Sequence, residues 1–243
     1  MDFVTVETII SRVAQETGIS ASALTDPYGS TDPNIIQMRT ILIAVGERLS
    51  REHHWQHLQR EHTFSTSGAL QGLYDLPAGF RSMLEQTHWN RTSTFPLGGP
   101  VDAQEWQFPT AQGSSATFTV LFRTREKKIQ VFPTSSTGQS IAFEYLSEYW
   151  VSTSGSADPT LASPTSKDHY IWFDPHLITR ALKFFFLKEK GMATASSEQD
   201  YFAALQMAKA DAISGKVLSL NGDSGTGFRL LDSSNVPPTN WGS

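Results

Sequence analysis

The chain of 243 residues contains no cysteine, which excludes disulfides, thiolate metal sites and a cysteine nucleophile. It contains no run approaching the roughly 18 consecutive apolar residues of a membrane span. Its opening residues, MDFVTVETII, carry neither a basic n-region nor an apolar h-region, so no signal peptide is expected. A soluble chain, assembled where it is made, is the expectation. Charged residues are sparse at 18%, and the formal net charge of −5 leaves no broad basic field, which argues against nucleic-acid binding by the chain as a whole. Catalytic signatures are missing too. There is no Gly-x-Ser-x-Gly elbow for a serine hydrolase. His53 and His57 are four apart on an expected helix, with His54 and His62 nearby, but neither pairing reads His-Glu-x-x-His, so no metal site is assigned. Gly215-Lys216-Val217 lacks the upstream glycine and the Ser/Thr of a phosphate loop, and Gly222–Gly227 does not stand between a strand and a helix. Phe95–Pro100 reads as a rigid loop rather than an anion nest. No catalytic residue and no cofactor is expected.

What is present is a set of well-punctuated helices. Thr5 caps a short helix with Val6, Ile9, Ile10 and Val13 on one face, and Gly18 ends it. Asp32 and Pro33 open a second helix of about five turns, along which Ile35, Met38, Leu42, Val45 and Leu49 recur, with Ile36 and Ile43 beside them. Two apolar rows predict packing on both sides. Asp174 and Pro175 repeat the entry device for the clearest helix of all, DPHLITRALKFFFLKEKG, in which Leu177, Ile178, Ala181, Leu182, Phe184 and Phe185 form a wide stripe. Lys188 and Lys190 suit the last turn and Gly191 the left-handed cap. Phe186 and Leu187 fall at or beyond the stripe's edge, which marks them as candidates for a domain or subunit interface. A last helix, capped by Ser197, carries Tyr201, Leu205, Ala208 and Ala212.

Between the helical pairs the period changes to alternation. Thr63–Thr66 and Leu73–Leu76 read as strands around the Gly68–Gly72 turn, and Ser82–Trp89 as another. Asp102 with Glu105 suggests a short helical turn carrying Trp106. Phe118, Val120 and Phe122, then Ile129 and Val131, make a hairpin around the charged turn Thr124–Lys128. Ile141, Phe143, Tyr145, Tyr149 and Val151 share one parity of a long strand, opposite Glu144 and Glu148, which predicts one apolar and one largely wet sheet face.

These patterns predict an α+β chain: an antiparallel helical bundle from residues 1–60 and 169–217, an inserted antiparallel β domain at 61–151, a linker at 152–168 and an extended C-terminal tail at 218–243. The tail carries Phe228, Leu230, Leu231, Val236 and Trp241 among Gly, Ser and Pro, the composition of a segment that orders on a partner. Arg123, Arg125, Lys127 and Lys128 cluster at the hairpin tip, where phosphate contact is the sharp reading and a solvated turn the plain one. Strand carboxylates, Glu144 and Glu148 above all, with Glu85 and Glu105, keep glycoside chemistry open.

In order along the chain, WQHLQREHTF (Trp55–Phe64), LYDLPAGF (Leu73–Phe80), WNRTSTFPLGGPVDAQEW (Trp89–Trp106), IQVFP (Ile129–Pro133), IAFEYLSEYWV (Ile141–Val151) and the Asp174–Gly191 helix resemble the head-to-tail adaptor, or connector, proteins of tailed bacteriophages, mainly short-tailed ones. The resemblance spans about residues 1–215; the long polar tail after Leu218 departs from shorter relatives. It implies a non-enzymatic virion neck protein, made in the bacterial cytoplasm. Such a protein forms a ring, twelvefold in expectation, beneath the portal protein. It would join the capsid to a tail nozzle or tail tube protein and continue the DNA channel, with transient non-specific contact to genomic DNA and none to membrane. The five apolar tail residues would then bind the portal. A carbohydrate-active virion enzyme and a nucleic-acid-binding module are the alternatives.

Overall fold

The computed structural model describes residues 3–20, 22–68, 72–112, 120–132, 137–155 and 158–212, and all of these lie in one compact unit, Met1–Ala212. The protein is mixed α and β, with antiparallel sheets. In chain order its elements are β1 (Val4–Thr5), α1 (Val6–Glu16), α2 (Pro33–Glu52), β2 (Gln59–Ser67), β3 (Gly72–Asp75), β4 (Phe80–Met83), β5 (Trp89–Asn90), β6 (Phe95–Pro96), α3 (Ala103–Gln112), β7 (Leu121–Arg125), β8 (Lys128–Phe132), β9 (Thr137–Ser147), β10 (Val151–Ser152), β11 (Tyr170–Ile171), α4 (Pro175–Glu189) and α5 (Ala195–Ala212).

The helix starts follow from local chemistry. The Thr5 hydroxyl accepts from the Thr8 N–H, Asp32 from the Asn34 N–H at 2.8 Å, and Asp174 from the Leu177 N–H at 2.8 Å, each satisfying a donor that the helix cannot. Gly191 takes a left-handed φ of +67° at the end of α4, where the Met192 N–H returns to the Leu187 carbonyl. Ser197 is not a cap, as expected from the sequence, but lies inside α5. The helix begins one turn earlier, and Ser197 donates back to the Thr194 carbonyl. α4 packs against α1, α2 and α5. That contact on several sides uses both Phe184 and Phe186, which point to different sides of one helix and are both buried. Val6, Ile9, Ile10, Met38, Leu42, Leu49, Leu177, Ile178 and Leu182 complete this core. Each fully buried side chain of this kind stabilises the fold by about 1.5–3 kcal/mol before entropy is subtracted.

The β region is paired at long range. β2 does not pair with β3 across the intervening turn; it runs antiparallel to β9, while β3 pairs with β8. The stretch expected as one strand, Ser82–Trp89, is broken into β4 and β5, both of which also pair with β9. The long strand likewise stops at Ser147. Beyond it Trp150 and Val151 enter the helical core, whereas Ile141, Phe143 and Tyr145 pack with Phe122, Ile129 and Val131 in a separate β core. The second face of β9 is not largely wet, because Ala142 and Leu146 on that parity are buried although Glu144 is exposed. A strand flanked on both sides by others can bury residues of either parity. Asp102 and Glu105 do start a helix, α3, but it is longer than one turn and buries Trp106.

Contacts on α2 link the helical core to the chain that enters and leaves the β region. Trp150 lies against α2 at Gly46, where an added Cβ would stand 2.2 Å from the indole ring. The Arg81 guanidinium of β4 donates to the Ser50 carbonyl near the end of α2. The polar stretch 152–168 is fastened to the helical part: Glu7 N–H donates to the Lys167 carbonyl, Val6 N–H to that of His169, and the Tyr28 hydroxyl to that of Pro164.

Candidate interaction surface

The apolar excess on the helices lies beside the core rather than at Phe186. Phe186 is 2% exposed and belongs to the chain's own helical core, with Lys190 over its ring, so it is not an exposed interface residue. Leu187 is half-buried. The outward aromatic is Phe185. It lines a groove of about 450 Å³ with Ile41, Ala44 and Val45 of α2, and the Arg48 guanidinium sits 5.1 Å from its ring centroid. Gln37 and Thr40 lie along the groove from α2, and Glu189 lines it from α4. Of the second apolar row of α2, Ile36 is 41% exposed and Ile43 half-buried. Three consecutive phenylalanines on a helix of 3.6 residues per turn cannot share one face, and that geometry was the available clue to Phe185. On the β side, Phe95 and Phe108 are each 67% exposed.

The basic hairpin tip is largely occupied locally. Arg123 lies over the Trp106 ring at 4.5 Å and donates to Gln130; Arg125 pairs with Glu126 at 3.0 Å, and Lys128 with Asp75 at 3.0 Å. Lys127 sits in the turn itself, beside a depression that Arg81, Arg125, Glu126 and Glu148 also line. The mixture of signs there makes a weak field for a phosphate backbone.

The carboxylates singled out from the sequence are dispersed. Glu144 and Glu148 line different depressions, Glu85 lies in the turn after β4, and Glu105 in the first turn of α3. The neighbour that β9 does bring to Glu144 is Glu61, its direct cross-strand partner. Sequence spacing carried no signal for this pair, which depends on the β2–β9 register. A hydrogen bond from Arg91 holds the Glu61 carboxyl below its usual range, against a smaller opposing effect of burial.

The histidines do not converge on a metal. α2 ends before His53, so His53 and His57 do not share a helix face, and no group of three or more potential ligands is found among the described residues. Burial, with the Arg60 charge second, pushes His57 down to about 4. Burial alone does the same to His88, which is 2% exposed and stacked on Phe122 at 4.1 Å and Phe143 at 5.6 Å.

The chain matches no family model and no curated protein. The tail residues Phe228, Leu230, Leu231, Val236 and Trp241 lie outside the described residues.

Proposed function

We propose that the chain is a structural head-to-tail adaptor of a tailed bacteriophage. It assembles as a ring at the virion neck between the portal protein and a tail nozzle or tail tube protein, and continues the DNA channel. In this reading the N- and C-terminal helices form an antiparallel bundle with the β domain inserted, and the tail after Leu218 extends to the portal. The order of motifs from Trp55 to Gly191 supports the family, and the α2–α4 groove, open among the described residues, supports assembly. Apolar groups lining an open groove gain free energy when a partner removes them from water. The occupant assigned to the groove is a second copy of the chain, making the lateral contact of the ring. No enzymatic step is needed for this role.

Light scattering and electron microscopy of the purified protein, alone and mixed with purified portal rings, test the reading. Rings, or protein layered on portals, are expected. Ile41→Glu should abolish assembly while leaving the helical circular dichroism unchanged. A wild-type protein that stays monomeric and leaves portal rings bare would overturn the proposal.

A further inference from the structure

The outer face of the β2–β9–β5 sheet holds a concavity of about 510 Å³ that the assembly reading does not use. Its chemistry is mixed in an informative way. Glu61 and Glu144 stand directly opposite each other on antiparallel strands, a position where like charges repel. Glu61 is fixed at both oxygens: the Arg91 guanidinium donates to Oε2 at 2.7 Å and the Thr63 hydroxyl to Oε1 at 3.4 Å. Glu144 is exposed, and its carboxylate has no ion pair among the described residues. Trp89 of β5 pairs with Ala142 of β9, and both line the concavity.

Elimination narrows the ligand class. Two carboxylates against one guanidinium disfavour phosphates and nucleic acid. Charged groups around the concavity disfavour a purely apolar ligand, which could not replace their water. A neutral polyhydroxylated ligand can use every group at once. Its hydroxyls donate to the carboxylates, its oxygens accept from the remaining Arg91 N–H groups, and its C–H face covers apolar surface of Trp89. We propose that this concavity is a saccharide-binding site, with Glu144 and Arg91 as the polar contacts and Trp89 as the apolar one. Glu61, paired with Arg91 at 2.7 Å, is held as a carboxylate, so its role in the site is to accept hydrogen bonds rather than to give a proton to a leaving group.

The test is a nuclear magnetic resonance titration of the full chain, following the Trp89 indole N–H, assigned by comparison with Trp89→Phe. The probes are maltotetraose, cellotetraose and chitotetraose, with tetralysine as the competing ligand class. A saturable shift with at least one oligosaccharide is expected, with a dissociation constant on the order of 1 mM. Glu144→Ala, at an exposed position, should weaken it roughly tenfold. Three outcomes overturn the proposal: no shift with any of the three sugars, a shift with tetralysine alone, or a sugar response unchanged in Glu144→Ala. All are independent of whether the protein forms rings.

Discussion

The helical core and the β core are built on different kinds of information. In the helical core most buried residues lie on a stripe visible within one segment, and the starts of α1, α2 and α4 each carry a side-chain cap. Val6, Ile9, Ile10 and Val13 are within a few turns of Thr5, and Leu177, Ile178, Ala181 and Leu182 within a few turns of Asp174. In the β core, Phe143 acquires its neighbours from β2, β7 and β8, and the residues of β2 pair with β9 at separations of 70 or more. Local order encodes the first core, and register encodes the second. The two meet at Trp150, which leaves the end of β9 to pack on Gly46 of α2.

The largest expected effect comes from breaking that meeting point. Gly46→Ala should raise helix propensity by about 1 kcal/mol, yet its Cβ would stand 2.2 Å from the Trp150 ring. So close an approach belongs at the upper end of the range for overpacking, about 3 kcal/mol, so a net loss of roughly 2 kcal/mol remains after the helix gain and is expected in urea unfolding. Hydrogen exchange should locate it in both cores. Loss confined to the helices would mean that the β core stands on its own.

Acid should separate the two cores by a smaller amount. His57, at the edge of the helical core, and His88, inside the β core, are both lowered to about 4 from 6.5. The unfolded chain therefore binds protons between pH 6.5 and 4 that the folded chain does not, and stability falls as pH falls through that window. The fully buried His88 contributes more of this loss than the half-buried His57. Glu16, whose own burial is outweighed by Lys183, Arg180 and Arg12, and the Arg91-paired Glu61 add their losses only below their usual 4.5. Thermal unfolding against pH checks this: His88→Phe should flatten the slope between pH 6.5 and 4, leaving the part due to His57.

The smallest effect sharpens the account of the β region. Glu126 and Lys127 connect β7 to β8 with φ of +54° and +57°, the left-handed pair of a type I′ turn that favours Asn-Gly. Replacing them by Asn and Gly should stabilise the protein by about 1 kcal/mol, because the Arg125–Glu126 pair lost with them is exposed and worth little. A rise in the thermal midpoint confined to this variant would place turn strain in the β region.

By itself the sequence determined the helix starts at Thr5, Asp32 and Asp174, the apolar stripes, and the hairpin around Glu126 and Lys127. Each is decided by residues within one or two turns or across a two-residue loop. It also made visible that the Asp174 helix has more apolar surface than one face needs. Only the tertiary structure decided how that surface is used. Phe186 is enclosed because α4 is packed by α1, α2 and α5, while Phe185 is left with Arg48 at the open groove. Likewise it was the register of β2 on β9, set by long-range pairing, that put Glu61 beside Glu144, while Glu148, past the end of β9, lines a different depression. A strand's pattern says which residues share a face, but its neighbours come from wherever in the chain the backbone hydrogen bonds are satisfied.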